Sequence, residues 1–314
     1  MVGGLKKPRV LITGGTGYLG ARIGKFLSKF GYDVFLGSRN HFSQNLVGDC
    51  NHVTTDWDDP AFNFCKGFNI IIHAAGMNAS DCTRNPRMAV RFNGETTARF
   101  VKKAALYGCN QFFYLSTVHV YKGPLNGNYN EGSPTLNDHP YAISRLYGEQ
   151  AVLNVLRNSS LKGAVLRLSN CFGPPATINN ECWELVLNQF VRDAMQLGCI
   201  TIDNDFLTRR DFLPISELNN VLLKIISVSE LETDILNIST GQSWSLIDIA
   251  SMISTTVTKT LGCNVKITKN RSVLPSASLV IQNQALESMG FFIKQDLKPE
   301  IESLIKYLKK GNED

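Results

Sequence analysis

Short apolar runs alternate with stretches of helical periodicity through the first half of the chain. Val10–Thr13, Asp33–Gly37, His52–Thr55, Asn69–Ala74, Gln111–Ser116 and Ala164–Leu168 read as strands, the fourth strongly apolar. Tyr18–Phe30, Pro86–Tyr107 and Pro140–Arg157 carry apolar residues at helical spacing, with Val90, Phe92 and Val101 marking the second. This alternation predicts an α/β fold, a doubly wound parallel sheet with helices on both faces. After Gly173-Pro174-Pro175 the pattern changes. Glu181–Leu197, Asp211–Ser227 and Ser245–Leu261 read as helices, with short strands at Leu236–Ile238 and Val265–Thr268. Residues 1–173 are expected to form the doubly wound domain and 174–314 a smaller α/β lobe, with a segment near 211–245 returning to the first domain.

Glycines punctuate the first strand-to-helix junction at Gly14, Gly17 and Gly20. Such a turn lets the backbone approach a pyrophosphate, and the helix N-terminus presents free N–H groups to it. The spacing is G-x-x-G-x-x-G, and any tight strand-to-helix turn favours glycine. The strand before, the helix after and the N-terminal position favour dinucleotide binding.

Ligands of such sheets bind beyond the carboxyl ends of the strands. The fifth strand ends in Ser116-Thr117-Val118-His119-Val120-Tyr121, and continued extension would set Thr117, His119 and Tyr121 on one face. The next helix carries Tyr141 and Arg145 at i, i+4. A tyrosine hydroxyl becomes a usable proton carrier at neutral pH when a cation stands beside it, and Thr117 offers a bridging hydroxyl. A packed tyrosine and a solvated arginine are the bland alternatives.

These residues resemble the extended short-chain dehydrogenases/reductases, which act largely on nucleotide sugars. Gly14-Gly-Thr-Gly-Tyr-Leu-Gly20 is similar to that family's cofactor loop, which brings in Thr16, Tyr18 and Leu19. Ile72-His-Ala-Ala-Gly76 is similar to its fourth-strand motif, with Ala74, Ala75 and Gly76 beside the cofactor, and Asn93 sits in a phrase like its N-x-x-G-T. Thr117 matches its active-site Ser/Thr and Tyr141 its catalytic tyrosine. Arg167-Leu-Ser-Asn-Cys-Phe-Gly-Pro174 resembles its R-x-x-N-x-x-G-P crossing, with Asn170 toward substrate. Arg210-Asp-Phe matches a segment whose arginine meets substrate phosphate, and Leu236-Asn-Ile-Ser-Thr-Gly241 matches its late strand. The resemblance implies a Rossmann fold, a nucleotide-sugar substrate and a homodimer through the helices Pro86–Tyr107 and Pro140–Arg157.

Three departures shape the expected function. Arg145 stands where the family carries a lysine that binds the nicotinamide ribose and tunes the tyrosine; arginine keeps the charge but is planar and bulkier. This leaves open a cofactor-binding sensor or scaffold that has lost turnover. After the second strand, where NAD-preferring members carry an acid, stand Ser38 and Arg39, which suit a 2′-phosphate. NADP(H) is therefore the expected cofactor, with NAD(H) tolerated if the pair is only a surface feature. Asp56 and Trp57 are expected to flank the adenine, or to form a simple loop. The family's 4,6-dehydratases carry Asp-Glu after the active-site threonine. Here Val118 cannot donate a proton, which disfavours 4,6-dehydration. His119 stands as a base beside a ketone or as a hydrogen bonder to substrate. The reading is oxidoreduction at a sugar carbon, by 4-keto reduction or epimerisation.

The remaining features change little. In 314 residues, 43% hydrophobic and 19% charged, a net charge of +5 is spread without a basic stripe, so nucleic acid is not an expected partner. Eight cysteines lack C-x-x-C or zinc spacing, which suits buried thiols in a reducing cytoplasm and no metal. No apolar stretch reaches the roughly 18 residues of a membrane span, and no room for a signal peptide precedes the first strand. Asn188 is expected to face a sugar-nucleotide pocket, and Trp183 and Phe190 on the same helix to line it or, the more expected role for that pair, to pack in the core. His73 reads as a structural hydrogen bonder, and Arg209 joins Arg210 as a phosphate candidate, or as part of a solvated loop. His41, His52 and His139 have no constellation around them.

Overall fold

Val10, Leu11 and Ile12 are wholly buried, with Leu11 packing on the opposite side of the sheet from its two neighbours, as befits a strand covered on both faces. They form β1 (Arg9–Thr13) in a computed structural model that describes residues 7–40, 47–178, 180–202, 207–269 and 279–310. His41 lies outside the described residues.

The chain continues through α1 (Tyr18–Leu27), β2 (Asp33–Ser38), β3 (Asn51–Thr54), β4 (Ile70–His73), α2 (Ala79–Arg84), α3 (Pro86–Ala89), α4 (Thr97–Leu106) and β5 (Gln111–Thr117). Next come β6 (Gly127–Tyr129), α5 (Pro140–Arg157), β7 (Lys162–Leu168), β8 (Asn170–Phe172), α6 (Val186–Leu197), β9 (Cys199–Ile202), β10 (Arg209–Pro214) and α7 (Ile215–Ser227). β11 (Ile235–Ile238), β12 (Ser243–Ser245), α8 (Leu246–Leu261), β13 (Lys266–Lys269), β14 (Leu279–Ile281), α9 (Gln284–Ser288) and α10 (Lys298–Lys310) complete the order.

Among the described residues, seven parallel strands form the main sheet in the order β11-β7-β5-β4-β1-β2-β3. The direction of strand addition reverses between β1 and β4, which opens a crevice beyond their carboxyl ends. Thr13 and His73 end these two strands in register. One apolar layer packs α1 and α7 on the sheet, and the opposite layer packs α4 and α5. A third cluster unites α6, α8 and α10 with β9 in the smaller lobe.

Several elements differ from the sequence pattern. β5 stops at Thr117, and Val118–Val120 form a 3-10 turn capped by Thr117 Oγ1, which accepts the His119 N–H at 3.2 Å. Thr117, His119 and Tyr121 therefore do not share one extended face. Tyr121 is fully buried, stacks on Tyr129, and donates its hydroxyl to Asn237 Oδ1 at 2.6 Å. The predicted helix Asp211–Ser227 is helical only from Ile215. Arg209–Pro214 is a strand between β8 and β12, and Pro214 ends it and leads into α7. The pattern Phe212, Leu213, Ile215, Leu218 fits both structures; pairing with distant strands selects the extended one. The predicted helix Glu181–Leu197 begins at Val186. Pro86–Tyr107 is interrupted by a π-helical stretch over Val90–Thr96, which widens the helix where Asn93 and Gly94 meet α5.

Candidate active site

The crevice at the switch point is a cavity of about 550 Å³. Its lining includes Gly14, Thr16 and Gly17 of the glycine turn, Gly37, Ser38 and Arg39 after β2, and Trp57, Ala75, Gly76, Met88 and Phe92. Gly14 has φ +66°, and a Cβ there would stand 2.8 Å from the Ala75 nitrogen, so only glycine admits this turn beside the β4 loop. Gly17 caps α1 without a side-chain hydrogen bond, and no acidic residue occupies the first turn. An uncapped helix N-terminus over a glycine turn suits the pyrophosphate of a dinucleotide. Trp57 is held edge-on by Phe62, Phe64, Phe92 and Phe100, which leaves an aromatic wall for a planar base. Arg39 is exposed at the rim. The Ser38 hydroxyl donates to Asn40 O and lies 3.1 Å from His52 Nε2, giving His52 the partner its sequence context lacked.

The β4 and β5 ends bring the candidate catalytic side chains together. Arg145 is 8% exposed and lies with its guanidinium 5.3 Å from the Tyr141 ring centre and 5.9 Å from that of Tyr114. Its Nη1 donates to Leu115 O at 3.4 Å. Burial opposes its charge, but the Tyr141 and Tyr114 hydroxyls outweigh that and raise its pKa, so it is a permanent cation. The guanidinium rests on Gly76, which in turn lines the crevice. A second cavity of about 420 Å³ adjoins this group and is lined by Tyr141, His119, Asn137, His139 and Gly123. Thr117 ends β5 close by, buried. His119 is open to the cleft but crowded from behind, so burial, and then the Arg210 cation, lower its pKa against the opposing hydrogen bond of Asn170.

Several expected ligand residues instead serve the protein itself. Asn93 is buried, accepts the Met77 N–H at 2.8 Å and donates to Ser144 Oγ at 2.9 Å, so it clamps the β4 loop to α5. Asn188 is fully buried, accepts the Gly173 N–H and donates to Gly173 O and the Tyr18 hydroxyl. These bonds brace the Gly173 turn. Tyr18 donates to Gly173 O at 2.7 Å, tying α1 to the smaller lobe. Leu19 packs against the core and Ala74 lies beside it. Asp56 is exposed and accepts the N–H groups of Asp58 and Asp59, so it closes its own loop and does not line the crevice. His73 is buried between Thr13 and Thr97 hydroxyls at 2.6 and 3.0 Å.

Asn170 and Arg210 lie toward His119 from β8 and β10. Asn170 donates to Asp211 O at 2.8 Å. Asp211 accepts from Ser169 Oγ, Thr240 N and Thr240 Oγ1, yet burial still lifts its carboxyl to about 6. Arg209 donates to Ser243 Oγ and O. Sequence reasoning missed His139, the N-cap of α5, which accepts the Tyr141 N–H on Nδ1. Its place before Pro140 was the available signal, since proline at the first helical position marks the preceding residue as cap. Met88 and Phe92 in the crevice wall were also not singled out as lining residues.

The eight cysteines are unpaired, with Cys263 exposed. Among the described residues, no helix is long and apolar enough to cross a membrane.

The arrangement has counterparts. The chain is 24% identical over 312 residues to a putative UDP-glucose 4-epimerase of Methanocaldococcus jannaschii, covering 96% of this chain and 99% of that one. It is 24% identical over 257 residues to the dTDP-D-glucose 4,6-dehydratase of Mus musculus, covering 77% and 71%. Among solved structures, MoeE5 in complex with UDP-glucuronic acid and NAD superposes with a TM-score of 0.81 at 20% identity, covering 96% of this chain and 99% of that one; at this identity the likeness speaks for the fold. A family model matches residues 10–239, and on that match the chain belongs to the NAD dependent epimerase/dehydratase family.

Proposed function

We propose that the protein catalyses NAD(P)-dependent oxidoreduction at C4 of a nucleotide sugar, with epimerisation or 4-keto reduction as the net result. The observation that carries this reading is the continuity from crevice to tyrosine. Gly76 lines the crevice, the Arg145 guanidinium rests on Gly76, and Tyr141 rests on Arg145. A bound nicotinamide dinucleotide supplies the hydride acceptor or donor for the sugar carbon. Tyr141 as the phenolate takes the proton from the C4 hydroxyl oxygen as hydride leaves C4, or as the phenol returns it in the reverse sense, and Arg145 steadies the phenolate. Thr117 Oγ1 accepts the His119 N–H and keeps its own proton to offer the same oxygen. His119 hydrogen-bonds the sugar, and Arg210 and Asn170, which lie toward it, orient the phosphate-bearing end.

Val118 is buried and carries no proton, so this reading sets 4,6-dehydration aside. The β2 end lacks a carboxylate and Arg39 stands at the rim, which supports NADP(H) over NAD(H). Exposed Tyr147 on α5 and Leu106 on α4 support a homodimer through those helices, and the unpaired thiols support a cytoplasmic setting.

The test is a panel of UDP- and dTDP-hexoses with NADP+ or NAD+, and of their 4-keto forms with NADPH or NADH. Loss of nicotinamide absorbance with a new sugar identifies a reductase. An isomerised sugar without net cofactor consumption identifies an epimerase. Tight dinucleotide binding with no product from any sugar refutes turnover and leaves a non-catalytic binding protein.

A further inference from the structure

We propose that Gly76 is a positioning residue, the socket that seats the Arg145 guanidinium between the crevice and Tyr141 and so lets an arginine work where the family carries a lysine. For its ligand the proposal rests on the dinucleotide reading above. The geometry is specific to this pair. A Cβ at position 76 would stand 2.7 Å from both Cζ and Nη1 of Arg145 and closer still to Nη2. On its other sides the guanidinium is flanked by the Tyr141 and Tyr114 rings, and Leu115 O accepts from Nη1, so displacement from Gly76 breaks these contacts. The Arg145 Nε is buried and has no hydrogen-bond partner among the described residues. Leaving a buried donor of a cation unpaired is costly, so the site favours a ligand that brings an acceptor to this side chain.

A methyl at position 76 meets the far end of a long side chain and not backbone. The fold survives that clash, and the guanidinium is what moves. A lysine ammonium lacks the planar fork and fits beside an alanine. Gly76 and Arg145 are therefore coupled, and the effect of adding a methyl depends on which cation stands at 145.

The experiment is a double-mutant cycle of Gly76→Ala and Arg145→Lys. It reads NADPH and NADH affinity by Trp57 fluorescence, and the ¹H–¹⁵N signal of Arg145 Nε in the ligand-free protein, assigned by its loss in Arg145→Lys. The Nε signal moves in Gly76→Ala, and the preferred dinucleotide binds about tenfold more weakly, roughly 1.4 kcal/mol. In the Arg145→Lys background, the same alanine changes affinity by less than about threefold, a coupling of the size seen for residues in contact. An unmoved Nε signal in Gly76→Ala overturns the socket, as does an equal loss of affinity in both backgrounds. If the wild-type protein binds neither dinucleotide, the functional reading falls while the Nε signal still decides the socket.

Discussion

The backbone N–H of Tyr141 donates to Nδ1 of His139 at 3.2 Å, so an imidazole caps the helix that presents the candidate catalytic tyrosine. The cap is itself braced. Thr83 Oγ1 donates to Ala79 O at 3.0 Å and so accepts the His139 Nε2–H at 3.2 Å. This fixes the Nε2–H tautomer and ties α2 to the first turn of α5. His139 also lines the cavity that Tyr141 and His119 share.

His139→Ala removes the cap. It should cost about 1 kcal/mol of stability, the usual worth of an N-cap, and lower kcat through misplacement of Tyr141. His139→Asn retains an acceptor at the cap and should recover most of both. Urea denaturation and steady-state kinetics on the two variants check this; equal kcat losses in alanine and asparagine would show that capping is not the cause.

Tyr141→Phe keeps the ring over Arg145 and deletes the hydroxyl. Turnover should fall by about 10²–10⁴, the usual contribution of a positioned acid or base, while dinucleotide affinity stays close to that of the wild-type protein. Turnover that survives unchanged would remove Tyr141 from the mechanism.

Arg39 sits exposed where a 2′-phosphate would lie. NADPH should bind more tightly than NADH, and Arg39→Ala should erase most of that difference, by about tenfold, with little effect on NADH. The preference should also weaken with added salt, because the arginine is exposed. Tighter NADH binding in the wild-type protein would reverse the assignment, and the prior bond of Ser38 to Asn40 O would be its structural reason.

Burial, then the Arg145 charge, hold His73 down at about 3. Unfolded, the ring takes a proton below about 6.5. Its contribution to stability is therefore complete above about pH 6.5 and is lost as the pH falls toward 3, by up to about 1.4 kcal/mol per unit. Asp211 has the opposite sign. Its carboxyl is raised to about 6, so its contribution is complete below about pH 3.9 and lost as the pH rises through 6. His73→Phe should be less stable at pH 7.5, through loss of the Thr13 and Thr97 bonds, and should lose less further stability down to pH 5 than the wild-type protein. Parallel declines in denaturant titrations across that range would contradict the assignment.

Much of the sheet was legible because its code is local. Val10–Ile12 and Ile70–Ile72 are apolar on successive positions, as strands buried on both faces must be, and Pro140–Arg157 is helical over the span its periodicity marks. The glycine turn was equally readable, since a positive φ at Gly14 leaves a chemical trace in the chain. Illegible were the places where two structures satisfy one apolar pattern. Nothing near Asp211 separates strand from helix until β8 and β12 arrive to pair with it, and nothing near Thr117 shows that its own hydroxyl turns the chain.

By itself, then, the amino-acid order determined the parallel α/β architecture, the glycine turn and the identity of the tyrosine–arginine pair, because periodicity, backbone freedom and i, i+4 spacing are properties of neighbours. Only the tertiary structure decided that Asn188 and Asn93 brace the frame, that His139 caps the tyrosine helix and that Gly76 seats Arg145. Each of these depends on side chains distant in sequence competing for one buried volume or one donor. That competition is resolved only when the sheet and its helices close on one another.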